Sequence, residues 1–298
     1  MLRPTLLLLL SLLMLGAARQ TAAQATTQAQ LLGGRVLDAK NGQPVPYASL
    51  WLLGKHNWAL ANARGHFNLA ALEKYAADTL LVECLGYSPR LIVLRNRALP
   101  ATTLTLEKVV STPQSQPPAS APAVTRRLGS LAKKPGDGMI QGMMGSQYAL
   151  LMKPSSKHPP GSIRSVSFFI GENGFPKDSF RIRLYRADGP NQSPGTNLLN
   201  ENLIVAAPGG GQWFTVDIAK YLVEVPREGF FVAMEWIIAH EPNIEGPPLG
   251  QMLRPTFEFK DSRTWTFTVG RGWNLLVLKN QESKAYNAMI RAETEALE

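Results

Sequence analysis

Apolar and polar side chains alternate along this chain in short runs, and the runs end at turn signals. Residues 180–185 read Phe-Arg-Ile-Arg-Leu-Tyr. In an extended chain Phe180, Ile182 and Leu184 fall on one side, and Arg181, Arg183 and Tyr185 on the other. Such period-two runs, bounded by Gly, Pro, Asn and Asp, are the pattern of half-buried β-strands. With 25 glycines and 22 prolines in 298 residues, turns are frequent enough to separate many short strands. The pattern therefore predicts an all-β chain, and 45% apolar residues are enough to fill its cores. One cysteine excludes an intrachain disulfide and any cysteine-based metal cluster, and four histidines leave little for a histidine-rich site.

Residues 1–25 read as a secretory signal peptide. Arg3 gives a positive start, residues 6–15 a short apolar run, and Ala23-Gln24-Ala25 a small-residue cleavage site. Ten apolar residues are too few for a spanning helix, which needs about 20. The expectation is an exported chain without a transmembrane span, in the periplasm, at the outer-membrane surface or outside the cell. The net charge of +9 suits acidic surfaces. No dense basic run points to nucleic acid.

Residues 109–127 change character. The run STPQSQPPASAPAV has no charge and no aromatic ring, and its prolines favour an extended tether. It separates a first unit, residues 31–108, from a second, residues 128–298. Arg126, Arg127, Lys133 and Lys134 form a basic, solvated collar behind it.

In the first unit strands are predicted over residues 31–37, 45–53, 79–85, 91–94 and 102–106, with a further element at Phe67 and Leu69. Asn41-Gly42 and Asn62 to Gly65 make turns. Six or seven strands at this spacing suggest a sandwich. The blocks GRVLDAKNGQPVPYASLWLLG, ARGHFNL and DTLLVECLGY resemble the carboxypeptidase regulatory-like domain found at the N-terminus of many Gram-negative envelope proteins. The resemblance covers about a quarter of the chain. It implies a transthyretin-like, seven-stranded, generally non-catalytic sandwich. One departure is the turn Ala61-Asn62-Ala63-Arg64, where the family usually places an acidic residue. Without a carboxylate this turn is a poor calcium site. Cys84 reads as a small buried hydrophobe, and His56 and His66 as surface residues.

The second unit also reads as β, with eight or more strands and long loops, a jelly-roll-like sandwich. Residues 217–222 suggest a helical turn, and the final stretch from Tyr286 reads as a strand to about Glu293. FRIRLYRADG, WFTVDI and VPREGFFVAMEW are similar to C-terminal sandwiches that accompany regulatory-like domains in envelope proteins, a likeness that carries no chemistry with it. Trp213, Trp236, Trp265 and Trp273 are expected in the core.

Most tests for chemistry fail. His158 and His240 lack the neighbours of a zinc peptidase motif, no Gly-x-Ser-x-Gly elbow exists, and Gly209-Gly210-Gly211 precedes a strand rather than a helix. No metal or cofactor is expected. The length after residue 128 is too short for a large outer-membrane receptor barrel. One candidate site remains: Arg181, Arg183 and Tyr185 on an outer sheet face, where a ring and two guanidinium forks suit sugar stacking and carboxylate or sulfate pairing. The sequence thus points to an exported, non-catalytic envelope protein that binds an acidic glycan or another envelope protein. The alternatives are a glycan-acting hydrolase with a carboxylate pair, Asp217 and Glu235 being candidates, and a structural assembly subunit marked by an exposed apolar patch.

Overall fold

The computed structural model describes residues 30–53, 58–71, 79–94, 102–109, 123–154, 161–237 and 250–297. Residues 1–25, read as a signal peptide, most of the stretch read as a tether, His56, His158 and His240 lie outside them.

The first unit contains β1 (Gln30–Asp38), β2 (Ser49–Leu52), β3 (Trp58–Leu60), β4 (His66–Ala71), β5 (Thr79–Glu83), β6 (Arg90–Val93) and β7 (Thr102–Leu106). They form two sheets, β4-β1-β7 and β3-β2-β5-β6. Pairing is antiparallel except for β1 with β7. Val36, Leu50, Leu52, Phe67, Leu69, Leu80, Val82, Leu104 and Leu106 fill the space between the sheets. The strand expected over 45–53 starts only at Ser49. Pro44 and Pro46 lack the N–H a ladder needs, and Tyr47 sits at φ +55°, outside the extended region. The short β3 had not been expected.

The second unit contains β8 (Ala123–Gly129), β9 (Ile140–Gln141), β10 (Gln147–Met152), β11 (Ser162–Gly174), β12 (Ser179–Arg186), β13 (Ile204–Ala206), β14 (Gln212–Asp217), β15 (Phe230–Trp236), β16 (Gln251–Leu253), β17 (Pro255–Thr256), β18 (Thr264–Thr268), β19 (Gly272–Leu275), β20 (Asn287–Ala288) and β21 (Ile290–Leu297). One sheet runs β13-β12-β15-β10-β18-β19 and the other β8-β21-β11-β16-β9, with β14 on β11. Their facing sides enclose a core that includes Ile163, Phe168, Phe180, Ile182, Leu184, Val232, Trp236 and Ile290. The all-β, two-sandwich expectation holds.

Two boundaries move. β8 begins at Ala123, inside the stretch read as tether, because residues 123–129 pair along β21. Arg127 of the expected basic collar binds Glu293 at 2.7 Å instead of standing free. The last strand continues past Glu293 to Leu297, and residues 219–221 form the expected short helical turn. No helix among the described residues is long and apolar enough to cross a membrane.

Candidate functional site

The inner face of β12 goes to the core as the alternation requires, but the outer face does not go to water. Arg181 is 0% and Tyr185 7% exposed, and Arg183 is half-buried. This corrects the expectation of a solvated sheet face. The reason is tertiary: the first unit is seated on it.

Cross-strand register explains how the face is built. Arg181 stands opposite Glu235, Glu235 opposite Gln147, Gln147 opposite Phe267, and Phe267 opposite Trp273. One row of five side chains thus crosses β12, β15, β10, β18 and β19. In the next row Arg183 faces Ala233, which faces Ala149. The two alanines leave room above the sheet, so Arg183 bends to Glu235 and Tyr185 reaches Gln147. Arg181 Nη1 donates to Glu235 Oε1 at 2.9 Å, and Arg183 Nε donates to Oε2 at 2.6 Å. Tyr185 Oη donates to Gln147 Oε1 at 2.7 Å.

Burial alone would raise the Glu235 carboxyl, but the charges of Arg181 and Arg183 outweigh it and hold the group below the usual carboxylate range. Burial works to strip the Arg183 proton, yet the negative charge of Glu235 raises its pKa further. Burial pushes the Tyr185 hydroxyl up, so it stays neutral and can donate. The cluster therefore holds two positive charges and one negative at neutral pH.

The first unit docks through backbone carbonyls. Arg181 Nη2 donates to the carbonyl of Tyr47, and Asn202 Nδ2 to that of Pro46 at 3.0 Å. The same Pro-rich segment that shortened β2 thus turns two ladder-free carbonyls toward the second unit. Gly145 lies against the Trp58 ring: a Cβ there would come within 2.7 Å of it, and the backbone has φ +79°. Both conditions require glycine. Arg181 Nε has no partner among the described residues.

Between the units lies a cleft of about 410 Å³. Its floor is the outer face of β12, β15 and β10, with Arg183, Tyr185, Glu235 and Gln147. One wall is the outer face of β2, β3 and β5, with Ser49, Trp51, Trp58 and Glu83; Trp273 and Phe267 stand on the other side. Trp51 and Trp58 stack at 5.7 Å, and Trp51 Nε1 donates to Glu83 Oε1 at 3.0 Å. Trp273 meets Tyr185 edge-on at 5.5 Å.

Of the four tryptophans expected in the core, Trp236 is fully buried there. Trp213, Trp265 and Trp273 are only partly buried, and Trp273 lines the cleft. Trp51, Trp58 and Gln147 had not been singled out. Period-two reading places Trp51 opposite the core-facing Leu50 and Leu52, but no signal said that another unit would face it. Cys84 is buried at the cleft edge, its Sγ 3.9 Å from the carbonyl oxygen of Pro46, and burial pushes its thiol pKa up. His66 is exposed. In the turn questioned as a calcium site, Asn62 Oδ1 accepts from the N–H groups of Arg64 and His66. Among the described residues no three His, Cys, Asp or Glu side chains group as metal ligands would.

The two candidate acids are not brought together. Asp217 ends β14 on the far sheet, where Oδ1 accepts from the Ala219 N–H at 2.8 Å; Glu235 stands on the cleft face of β15.

No curated protein matches the chain. Residues 32–112 match the family model of the CarboxypepD_reg-like domain, so the seven-stranded unit that closes the cleft is a domain of that type.

Proposed function

We propose that this is a non-catalytic envelope protein that binds a glycan in the cleft between its two sandwiches. One observation carries the reading: three tryptophans stand around a floor of fixed hydrogen-bonding side chains in a cavity of about 410 Å³. Sugars offer apolar ring faces and hydroxyl edges, and a site with aromatic walls and a few set polar groups matches both. The regulatory-like domain supplies a wall of the site in this reading as well as a spacer. Export rests on the signal-like residues 1–25 and belongs to the same proposal.

The hydrolase alternative finds less support. Both oxygens of Glu235 already accept from guanidinium groups. A carboxylate held ionised in that way is unsuited to be a general acid. Asp217, its candidate partner, belongs to the other sheet. A protein partner would be favoured instead by the exposed Leu91 and Val93 on edge strand β6, 64% and 60% accessible.

A glycan array probed with the intact chain, followed by titration of the hits against tryptophan fluorescence, tests the proposal. Binding that shifts the emission, and that Trp273→Ala weakens about tenfold or more, supports it. Retention of glycans that is indifferent to Trp273→Ala and to Trp58→Ala would refute the cleft as the site.

A further inference from the structure

We infer that the cleft selects a sugar bearing an anionic group, and that Arg183 is the residue that reads it; the inference rests on the glycan reading above. The argument is one of charge and of unused donors. Arg181 is closed to a ligand: Nη1 holds Glu235, Nη2 holds the Tyr47 carbonyl, and the unpartnered Nε is fully buried. Glu235 is closed as well, one oxygen on each arginine. Arg183 is not. Its Nε binds Glu235, while Nη1 and Nη2 have no partner among the described residues, and its side chain keeps 14% exposure at the cleft floor. Two guanidinium groups face one carboxylate, so one positive charge is left without a counter-charge on a largely dehydrated floor.

Tyr185, Tyr87 and Cys84, the other titratable groups along the cleft, are all pushed upward by burial and stay neutral at pH 7. Glu83 is exposed on the wall made by the first unit, where Oε1 accepts from Trp51, and the high dielectric of the water around it weakens its pull on the buried floor. A half-buried guanidinium with its Nη1/Nη2 edge free is best satisfied by paired oxygens of an anion. The tryptophans on either side favour a flat, ring-shaped carrier for that anion. A uronic acid carboxylate and a sulfate ester present the same oxygen pair.

Calorimetric titration of the intact chain separates the possibilities. The probes are an oligosaccharide with one glucuronate residue, its methyl ester, a singly sulfated form of the same backbone and the neutral parent. The inference expects the acid, the sulfate ester or both to bind at least about tenfold more tightly than the parent and the methyl ester. Which of the two anions wins identifies the group. Arg183→Gln should bring every probe to the parent's affinity, and Arg183→Lys should restore part of the preference. If Arg183→Gln is poorly folded, the four probes on the unmodified chain still decide. Equal affinity for all four overturns the inference and leaves the glycan reading standing. A preference that survives in folded Arg183→Gln overturns the assignment to Arg183. No binding by any probe, with tryptophan emission unmoved, counts against both.

Discussion

Glu235→Gln keeps the shape of the side chain and removes its charge. In the present fold that strands two guanidinium groups whose side chains are 1% and 14% exposed. Removing one partner of a buried pair costs about 3–5 kcal/mol, because the remaining charge stays dehydrated. Arg183 has some access to water, so the lower end, about 3 kcal/mol, is expected. For a unit the size of residues 123–297 this lowers the melting midpoint by roughly 6–12 °C. The assay is reversible unfolding followed by near-ultraviolet circular dichroism and tryptophan emission. Adding Arg181→Met removes one stranded charge and should recover at least about 1 kcal/mol, a coupling that distant sites do not show. The pH dependence has a definite sign. The folded Glu235 carboxyl titrates below its ordinary 4.5. Its contribution is therefore complete above 4.5 and is lost as the pH falls through the lower folded value. The gap between parent and variant should close only in that acid range. A loss below about 0.5 kcal/mol at neutral pH would mean that the cluster is hydrated and the first unit is not seated on it, and the reasoning would fall.

Three further outcomes follow from the same contacts. Cys84, 6% exposed and with its thiol pKa raised by burial, should resist alkylation at pH 8 in the parent chain and react faster in Asn202→Ala, where the docking bond to the Pro46 carbonyl is gone and no charge changes; equal rates measured by mass spectrometry would count against the docking contact. Gly145→Ala forces a Cβ to within 2.7 Å of the Trp58 ring from a backbone at φ +79°, and should cost about 1–3 kcal/mol of stability and expose Trp58 to quenchers. Burial and the hydrogen bond to Asp38 lift the Tyr87 hydroxyl to about 12. Its contribution is complete below the ordinary value of 10 and is lost as the pH rises toward 12, so Tyr87→Phe should flatten the alkaline decline in stability.

Much of this fold could be read from alternation. β12 is clear because six residues alternate without a break, and the side that holds Phe180, Ile182 and Leu184 is indeed the core side. The sequence also put Arg181, Arg183 and Tyr185 together on the other side. It could not tell that this side is covered, because a face that meets another unit and a face that meets water carry the same period. The signs that remained were small residues: Ala233 and Ala149 beside the arginines, and Gly145 under Trp58. β9, β17 and β20 have two residues each, too few to show any period, and β3 has only three. β8 was lost to its neighbours. Its alternation of half-buried Val124, Arg126 and Leu128 with exposed Thr125 and Arg127 follows directly on a run of Pro, Ser and Ala. Glu235 was named as half of a candidate carboxylate pair, without the two arginines that hold it. β15 is buried along its whole length, so an acid within it needed counter-charges, and those were the arginines one strand away.

The most direct test of the account is small-angle X-ray scattering from the chain lacking residues 1–25. Two sandwiches locked together by Arg181, Tyr47 and Asn202 predict a single-peaked distance distribution that does not change with salt. A two-lobed distribution, with a second maximum at the separation of tethered but undocked units, would show that no cleft exists in solution and would contradict the site on which the function rests.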